Sequence, residues 1–197
     1  MKATDPAVPD VVACLDVGSP LKDNVGWAVL HGGRSIHGRQ LPKFTDQLVL
    51  HLKNGLSMAL GFECPLYIPK RDDPMRMTRA RLGESGVNWC GTPGGSVLAT
   101  GLAQVNWVLR HLAQGVSKLT SSTRWKEFRD RSVQLFIWEA FITQGEGAVM
   151  RDELPHTRQA SGHERDAVCG AMAFSARASE QPELVSDLDQ EPAISLI

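Results

Sequence analysis

Val11-Val12-Ala13-Cys14-Leu15-Asp16-Val17-Gly18-Ser19-Pro20 is the stretch on which the fold turns. Residues 11–17 are an apolar, β-rich run, which predicts a buried strand. Near its end a carboxylate, Asp16, precedes a glycine that leaves the backbone open, and residues 18–24 carry turn chemistry.

Residues 25–31 read as a second strand, Gly32-Gly33 as a hairpin turn, and residues 34–40 as a third strand pairing back. Strands 1–3 therefore form an antiparallel meander. Phe44, Leu48 and Leu52 recur at helical spacing within 44–54, and Gly55 suits the position just past that helix. Residues 56–63 make a fourth strand, closed by Pro65 and carrying Glu63 at its end. Because a helix intervenes, this strand is expected to run parallel to the first.

Residues 65–96 are irregular and rich in Pro, Gly, Arg and Met, long enough for a functional loop. A helix over 97–115 has Leu98, Leu102, Val105, Val108, Leu109 and Leu112 on its apolar side. The charged stretch 122–131 reads as helical, 133–142 as a fifth strand, 143–160 as a polar loop and 162–178 as a last amphipathic helix. The predicted class is α/β, with a mixed five-stranded sheet flanked by helices: strands 1–3 antiparallel, strands 4 and 5 parallel. A single domain spans 1–179 with an insert at about 65–131. The tail 180–197 has five acids and no Lys or Arg, and is expected to be flexible.

Composition sets bounds. The 197 residues suit one ordinary domain, and a hydrophobic content of 42% allows a real core. A net charge of −1 gives no global pull towards nucleic acid or an anionic membrane, so any such contact needs a local basic patch. Cys14, Cys64, Cys90 and Cys169 form no CxxC pair and no zinc-module spacing. They read as small buried residues in a reducing compartment. Met1–Asp10 lacks the apolar core of a signal peptide, and no stretch nears the roughly 20 apolar residues of a membrane span. The expectation is a cytoplasmic protein with no membrane association.

Three acids stand at element ends in distant parts of the chain: Asp16, Glu63, and Asp166 in His163-Glu164-Arg165-Asp166-Ala167 at the start of the last helix. Phosphodiester hydrolysis builds negative charge on a pentavalent phosphorus. Two divalent cations roughly 3.5–4 Å apart stabilise the attacking and leaving oxygens together. Mg²⁺ and Mn²⁺ are hard ions whose natural ligands are carboxylates, and the cation offsets the repulsion among crowded acids. His163 lies one turn before Asp166 on the same helix face, where it could bind metal or steer the attacking water. Glu139 could be a fourth acid, unless strand alternation turns it away.

Element order and these residues together resemble the ribonuclease H-like superfamily, in particular the Holliday-junction resolvases and a group of predicted nucleases of that fold. The matching pieces are Leu15-Asp16-Val17-Gly18-Ser19-Pro20 with Gly26-Trp27-Ala28-Val29, then Gly61-Phe62-Glu63-Cys64-Pro65-Leu66, Trp138-Glu139-Ala140-Phe141, and His163-Glu164-Arg165-Asp166-Ala167. The resemblance covers about residues 10–178. It implies a metal-dependent nuclease acting on DNA or RNA, with catalytic roles on Asp16, Glu63, His163 and Asp166 and Mg²⁺ or Mn²⁺ as cofactor. It also implies a possible homodimer. The insert 65–131 has no template there, and the strong basic character of resolvases is missing.

A local basic patch is present in Lys70, Arg71, Arg76, Arg79 and Arg81, which could neutralise phosphates beside the acids. Arg124, Lys126, Arg129 and Arg131 form a second cluster that reads equally well as a solvated surface. Trp89 and Trp107 could stack on bases, although helical spacing favours a core role for Trp107. Gly91-Thr92-Pro93-Gly94-Gly95-Ser96 could hold an anion, but it lacks a Walker Lys and is better read as a loop with Ser96 as N-cap.

Each residue also has a plain structural reading: Asp16 capping its turn, Glu63 pairing with an arginine of the insert, and Asp166 favoured by the helix dipole. Two other functions share the core pattern. One is a non-catalytic partner-binding module of the same fold. The other is an actin-like ATP-binding phosphotransferase, which would need a second Asp-x-Gly loop that does not occur after residue 100.

Overall fold

A computed structural model describes residues 8–81, 89–91, 94–140, 161–180 and 193–195. The chain starts with β1 (Val11–Asp16), β2 (Gly26–His31) and β3 (Arg34–Gly38). Helix α1 (Leu41–Lys53), strand β4 (Met58–Phe62) and a short β5 (Tyr67–Pro69) follow. Then come α2 (Gly94–Gly115), β6 (Ser121–Ser122), α3 (Trp125–Arg129), β7 (Leu135–Glu139), α4 (Gly162–Glu180) and β8 (Ala193–Ser195).

The main sheet has six strands in the order β3-β2-β1-β4-β7-β6. Strands β1, β2 and β3 form the expected antiparallel meander, turned at Gly32 and Gly33, whose φ values of +56° and +74° suit a tight two-residue hairpin. Strand β4 runs parallel to β1, and β7 parallel to β4. The five-stranded expectation is corrected by β6, which pairs parallel to β7 through only Ser121 and Ser122. Two serines carry no alternation, so nothing in their own sequence marks them as a strand.

The span 65–131 contributes to this architecture. Val105, Val108 and Leu112 of α2 enter the main core against Phe44, Leu48 and Leu52 of α1. Tyr67–Pro69 pairs antiparallel with Ala193–Ser195 in a separate two-stranded ribbon, so the far end of the acidic tail carries a strand. The loop expected over 143–160 and most of the tail lie outside the described residues. Among the described residues, no helix is long and apolar enough to cross a membrane.

Strand alternation divides the side chains between the two faces of the sheet. Val11, Ala13 and Leu15 of β1, Met58, Leu60 and Phe62 of β4, and Leu135 and Ile137 of β7 pack with α1 and α2. Val12 and Cys14, Ala59 and Phe136 belong to the opposite layer with α3 and α4, where Trp125, Phe128, Phe136 and Phe174 form an aromatic cluster. This parity decides which acids can meet.

Candidate active site

Asp16 follows Val12 and Cys14 in step and so lies on the α4 side of the sheet. Glu63 follows Ala59 and Gly61 by the same rule and shares that side. Leu15 pairs with Phe62 in the parallel ladder, and the Glu63 N–H donates to the Leu15 carbonyl at 2.9 Å. Asp16 and Glu63 thus stand side by side on adjacent strands, about 4.8 Å apart in backbone spacing. Glu139 follows Leu135 and Ile137, so its parity sends it to the opposite face.

Helix α4 supplies the remaining groups. Its first turn sits on β2 at Gly26, which pairs with Asp16. A Cβ at Gly26 would overlap the His163 carbonyl and the Glu164 amide nitrogen, so only glycine lets the helix approach this closely. His163 Nδ1–H donates to Asp16 Oδ2 at 2.6 Å. An ionised carboxylate only accepts, so the proton is on Nδ1. Asp166 follows one turn later.

The electrostatics reflect this crowding. Burial pushes the Glu63 carboxyl up to about 8, and the charges of Asp16 and Asp166 push in the same direction, against a smaller opposing pull from His163. Burial also drives the Cys14 thiol upward, with Glu63 and Asp16 adding to the effect, so it is a neutral wall of the site. Glu63 Oε2 is buried without a hydrogen-bond partner. At the mouth, Gln104 of α2, 6% exposed, clamps the Gly18 backbone by accepting from its N–H and donating to its carbonyl.

Asp16, Glu63 and His163 therefore lie together at this end of the sheet, and Asp166, one turn along α4, is near enough for its charge to act on Glu63. The donors are hard oxygens, and a buried, partnerless Glu63 oxygen beside two other acids is the chemistry a divalent cation relieves. As the side chains stand, no three His, Cys, Asp or Glu groups among the described residues are arranged to hold an ion.

Glu139 is engaged elsewhere. Both of its oxygens receive Arg81 N–H groups at 2.8 Å, and Oε1 also accepts from the Leu66 amide. The arginine is 3% exposed and its guanidinium lies 4.3 Å over the Tyr67 ring. Arg81 is thereby removed from the basic patch, because a buried, bidentate pair presents no charge to a phosphate. Arg71 donates to the carbonyls of Arg76, Arg79 and Ala80 at 2.8–3.0 Å, so it closes the loop from within. Lys70, Arg76 and Arg79 are exposed. Trp89 is buried, its indole donating to the Arg79 carbonyl at 3.2 Å, and Trp107 packs against the core.

Sequence reasoning passed over Gly26, Gln104 and Glu164. For Glu164 a signal existed: Ser161-Gly162-His163-Glu164 matches a capping box. Burial raises the Glu164 carboxyl, but hydrogen bonds from Ser161 and His37 outweigh it and leave the group below its ordinary value. Gln104 had no local signal, since only tertiary packing brings α2 to residue 18.

No family model matches the sequence, and no curated protein matches it either. Among solved structures the chain is similar to the Thermus thermophilus RuvC structure, at 14% identity, over 86% of this chain and 96% of that chain, with a TM-score of 0.35. A likeness at that level is distant and adds no weight to an assignment.

Proposed function

We propose that this chain is a metal-dependent nuclease of ribonuclease H-like fold, hydrolysing phosphodiester bonds of DNA or RNA. One observation supports the reading: Asp16 and Glu63 end the adjacent parallel strands β1 and β4, His163 bonds to Asp16, and the charge of Asp166, one helical turn further on, acts on Glu63. In α/β sheets that edge is where ligands bind.

In this reading Asp16, Glu63 and Asp166 would hold Mg²⁺ or Mn²⁺. The bound ion would supply charge neutralisation and an acidified water. Asp16 fixes the His163 tautomer by accepting its Nδ1–H. That leaves Nε2 as the basic nitrogen, on a side chain 41% exposed, to take a proton from the attacking water. Lys70, Arg76 and Arg79 would lie along the phosphate backbone beside Glu63.

The test is incubation of the chain with labelled single-stranded, duplex and branched DNA and RNA, with Mg²⁺ or Mn²⁺. Cleavage is expected from the natural sequence and is expected to vanish in Asp16→Asn and Asp166→Asn with the fold intact. Equal cleavage in both variants removes the assignment. Light scattering on the same samples reports whether one copy acts or a pair.

A further inference from the structure

We propose that Glu164 is a positioning residue, which sets the direction of His163 and Asp166 by locking the first turn of α4 to β3. Its carboxylate holds the cap. The Glu164 amide donates to Ser161 Oγ at 3.2 Å, and the Ser161 amide donates back to Glu164 Oε2 at 2.8 Å. The Arg165 amide closes the first helical bond to the Ser161 carbonyl at 3.1 Å.

A capping glutamate needs only one oxygen for that role. Here the second oxygen has its own partner. Glu164 Oε1 accepts from His37 Nδ1–H at 3.2 Å, and His37 comes from β3, 127 positions earlier. Arg39 Nε lies 3.9 Å from Oε2, and Arg39 also pairs with Asp23 in the turn that follows β1. A carboxylate whose side chain is 12% exposed thus ties the helix start to the strand edge and to the turn beyond Asp16.

The consequence is rotational. In a helix each residue is turned by about 100° from the last, so fixing the azimuth of one side chain in the first turn fixes its neighbours. Glu164 sits between His163 and Asp166. Gly26 permits the close approach of the helix but cannot choose its rotation. The Glu164 clamp chooses the rotation that points His163 at Asp16 and sets the place of Asp166 one turn along the same helix.

The test uses the full chain with ¹⁵N-labelled histidine, in Glu164→Ala, Glu164→Gln and His37→Ala. Its kinetic arm rests on the nuclease reading; its spectroscopic arm does not. In Glu164→Ala, kcat is expected to fall about 10–100-fold with KM within about twofold, the usual range for a supporting partner. The His163 Nδ1–H resonance is expected to be lost. Glu164→Gln, whose one amide oxygen keeps the bond from the Ser161 amide while its NH2 meets the lone pair of the other His37 tautomer, should recover most of both. His37→Ala, which keeps the cap, should move both in the same direction by less. An unchanged His163 resonance in Glu164→Ala overturns the proposal, as does a Glu164→Gln variant as damaged as the alanine. Should the natural chain cleave nothing, the nuclease reading falls and the imidazole resonance alone decides the positioning role.

Discussion

Asp16 Oδ2 and His163 Nδ1 lie 2.6 Å apart although 147 positions separate them in the chain. The pair couples the end of the central strand to the first turn of the last helix. It orients an imidazole beside two further carboxylates, the relation by which a second carboxylate commonly sets a histidine tautomer in hydrolytic and metal sites.

Removing the acid of this pair tests its place in the chemistry. In Asp16→Asn the amide can still meet the imidazole, but the negative charge is gone. Nucleic-acid cleavage with Mn²⁺ is expected to fall by about a hundredfold or more, while circular dichroism and melting behaviour stay near those of the natural chain. A variant that cleaves at the natural rate would place Asp16 outside the reaction.

The Glu63 carboxyl, pushed up to about 8 from an ordinary 4.5, has a stability signature in the metal-free protein. The folded state holds this proton more tightly than the unfolded chain. Its contribution to stability is therefore full below pH 4.5, declines as pH rises through the interval to about 8, and is flat above it. The slope is at most about 1.4 kcal/mol per pH unit. Glu63→Gln, neutral at every pH, should abolish that slope and be more stable than the natural chain at pH 8 in urea unfolding.

Metal binding should reverse the sign of this burden. A divalent ion binds the deprotonated carboxylate, so Mn²⁺ binding at pH 7 should release a proton and strengthen as pH approaches 8. An ion present at 100 times its Kd raises stability by about 2.7 kcal/mol, visible as a higher Tm. Calorimetry in two buffers of different ionisation enthalpy checks the proton. Asp166→Asn and Glu63→Gln should each lose most of the Tm gain.

Gly26→Ala probes the seat of α4. The added methyl would overlap the His163 carbonyl, which is backbone and cannot rotate away. The helix start must shift, at a cost of about 1–3 kcal/mol. Activity should fall further than this loss explains, because His163 and Asp166 move with the helix. A crystal structure or His163 resonance identical to the natural chain would contradict this.

The arginines of segment 70–81 should divide into two kinds. Arg81→Met takes the guanidinium partner from Glu139, whose side chain is 17% exposed in the natural chain, at an expected cost of about 3–5 kcal/mol. Lys70→Ala, Arg76→Ala and Arg79→Ala should change stability by no more than about 0.5 kcal/mol. Each should instead weaken nucleic-acid binding and reduce its salt dependence by about one unit of slope. Urea unfolding and binding titrations at three salt concentrations separate the two groups.

The order of the long elements, β1 to β4 with α1, then α2, β7 and α4, was written in the sequence; the short strands Tyr67–Pro69, Ser121–Ser122 and Ala193–Ser195 were not. The pleat alternates side chains along Val11–Asp16 and Met58–Phe62, but it is the register pairing Leu15 with Phe62 that puts Asp16 and Glu63 on a common face. The i, i+3 spacing of His163 and Asp166 likewise follows from helix geometry alone. Tertiary structure decided everything that depends on which surfaces touch. It brought Arg81 to Glu139 and so took one cation out of the basic patch and one acid out of the carboxylate set. It recruited Ser121–Ser122 as a sixth strand, and it set α4 against Gly26 with Glu164 as its clamp. The physical reason is range: periodicity and capping act over a few residues. Ion pairing and the close approach of two backbones depend on contacts that exist only once the chain has closed on itself.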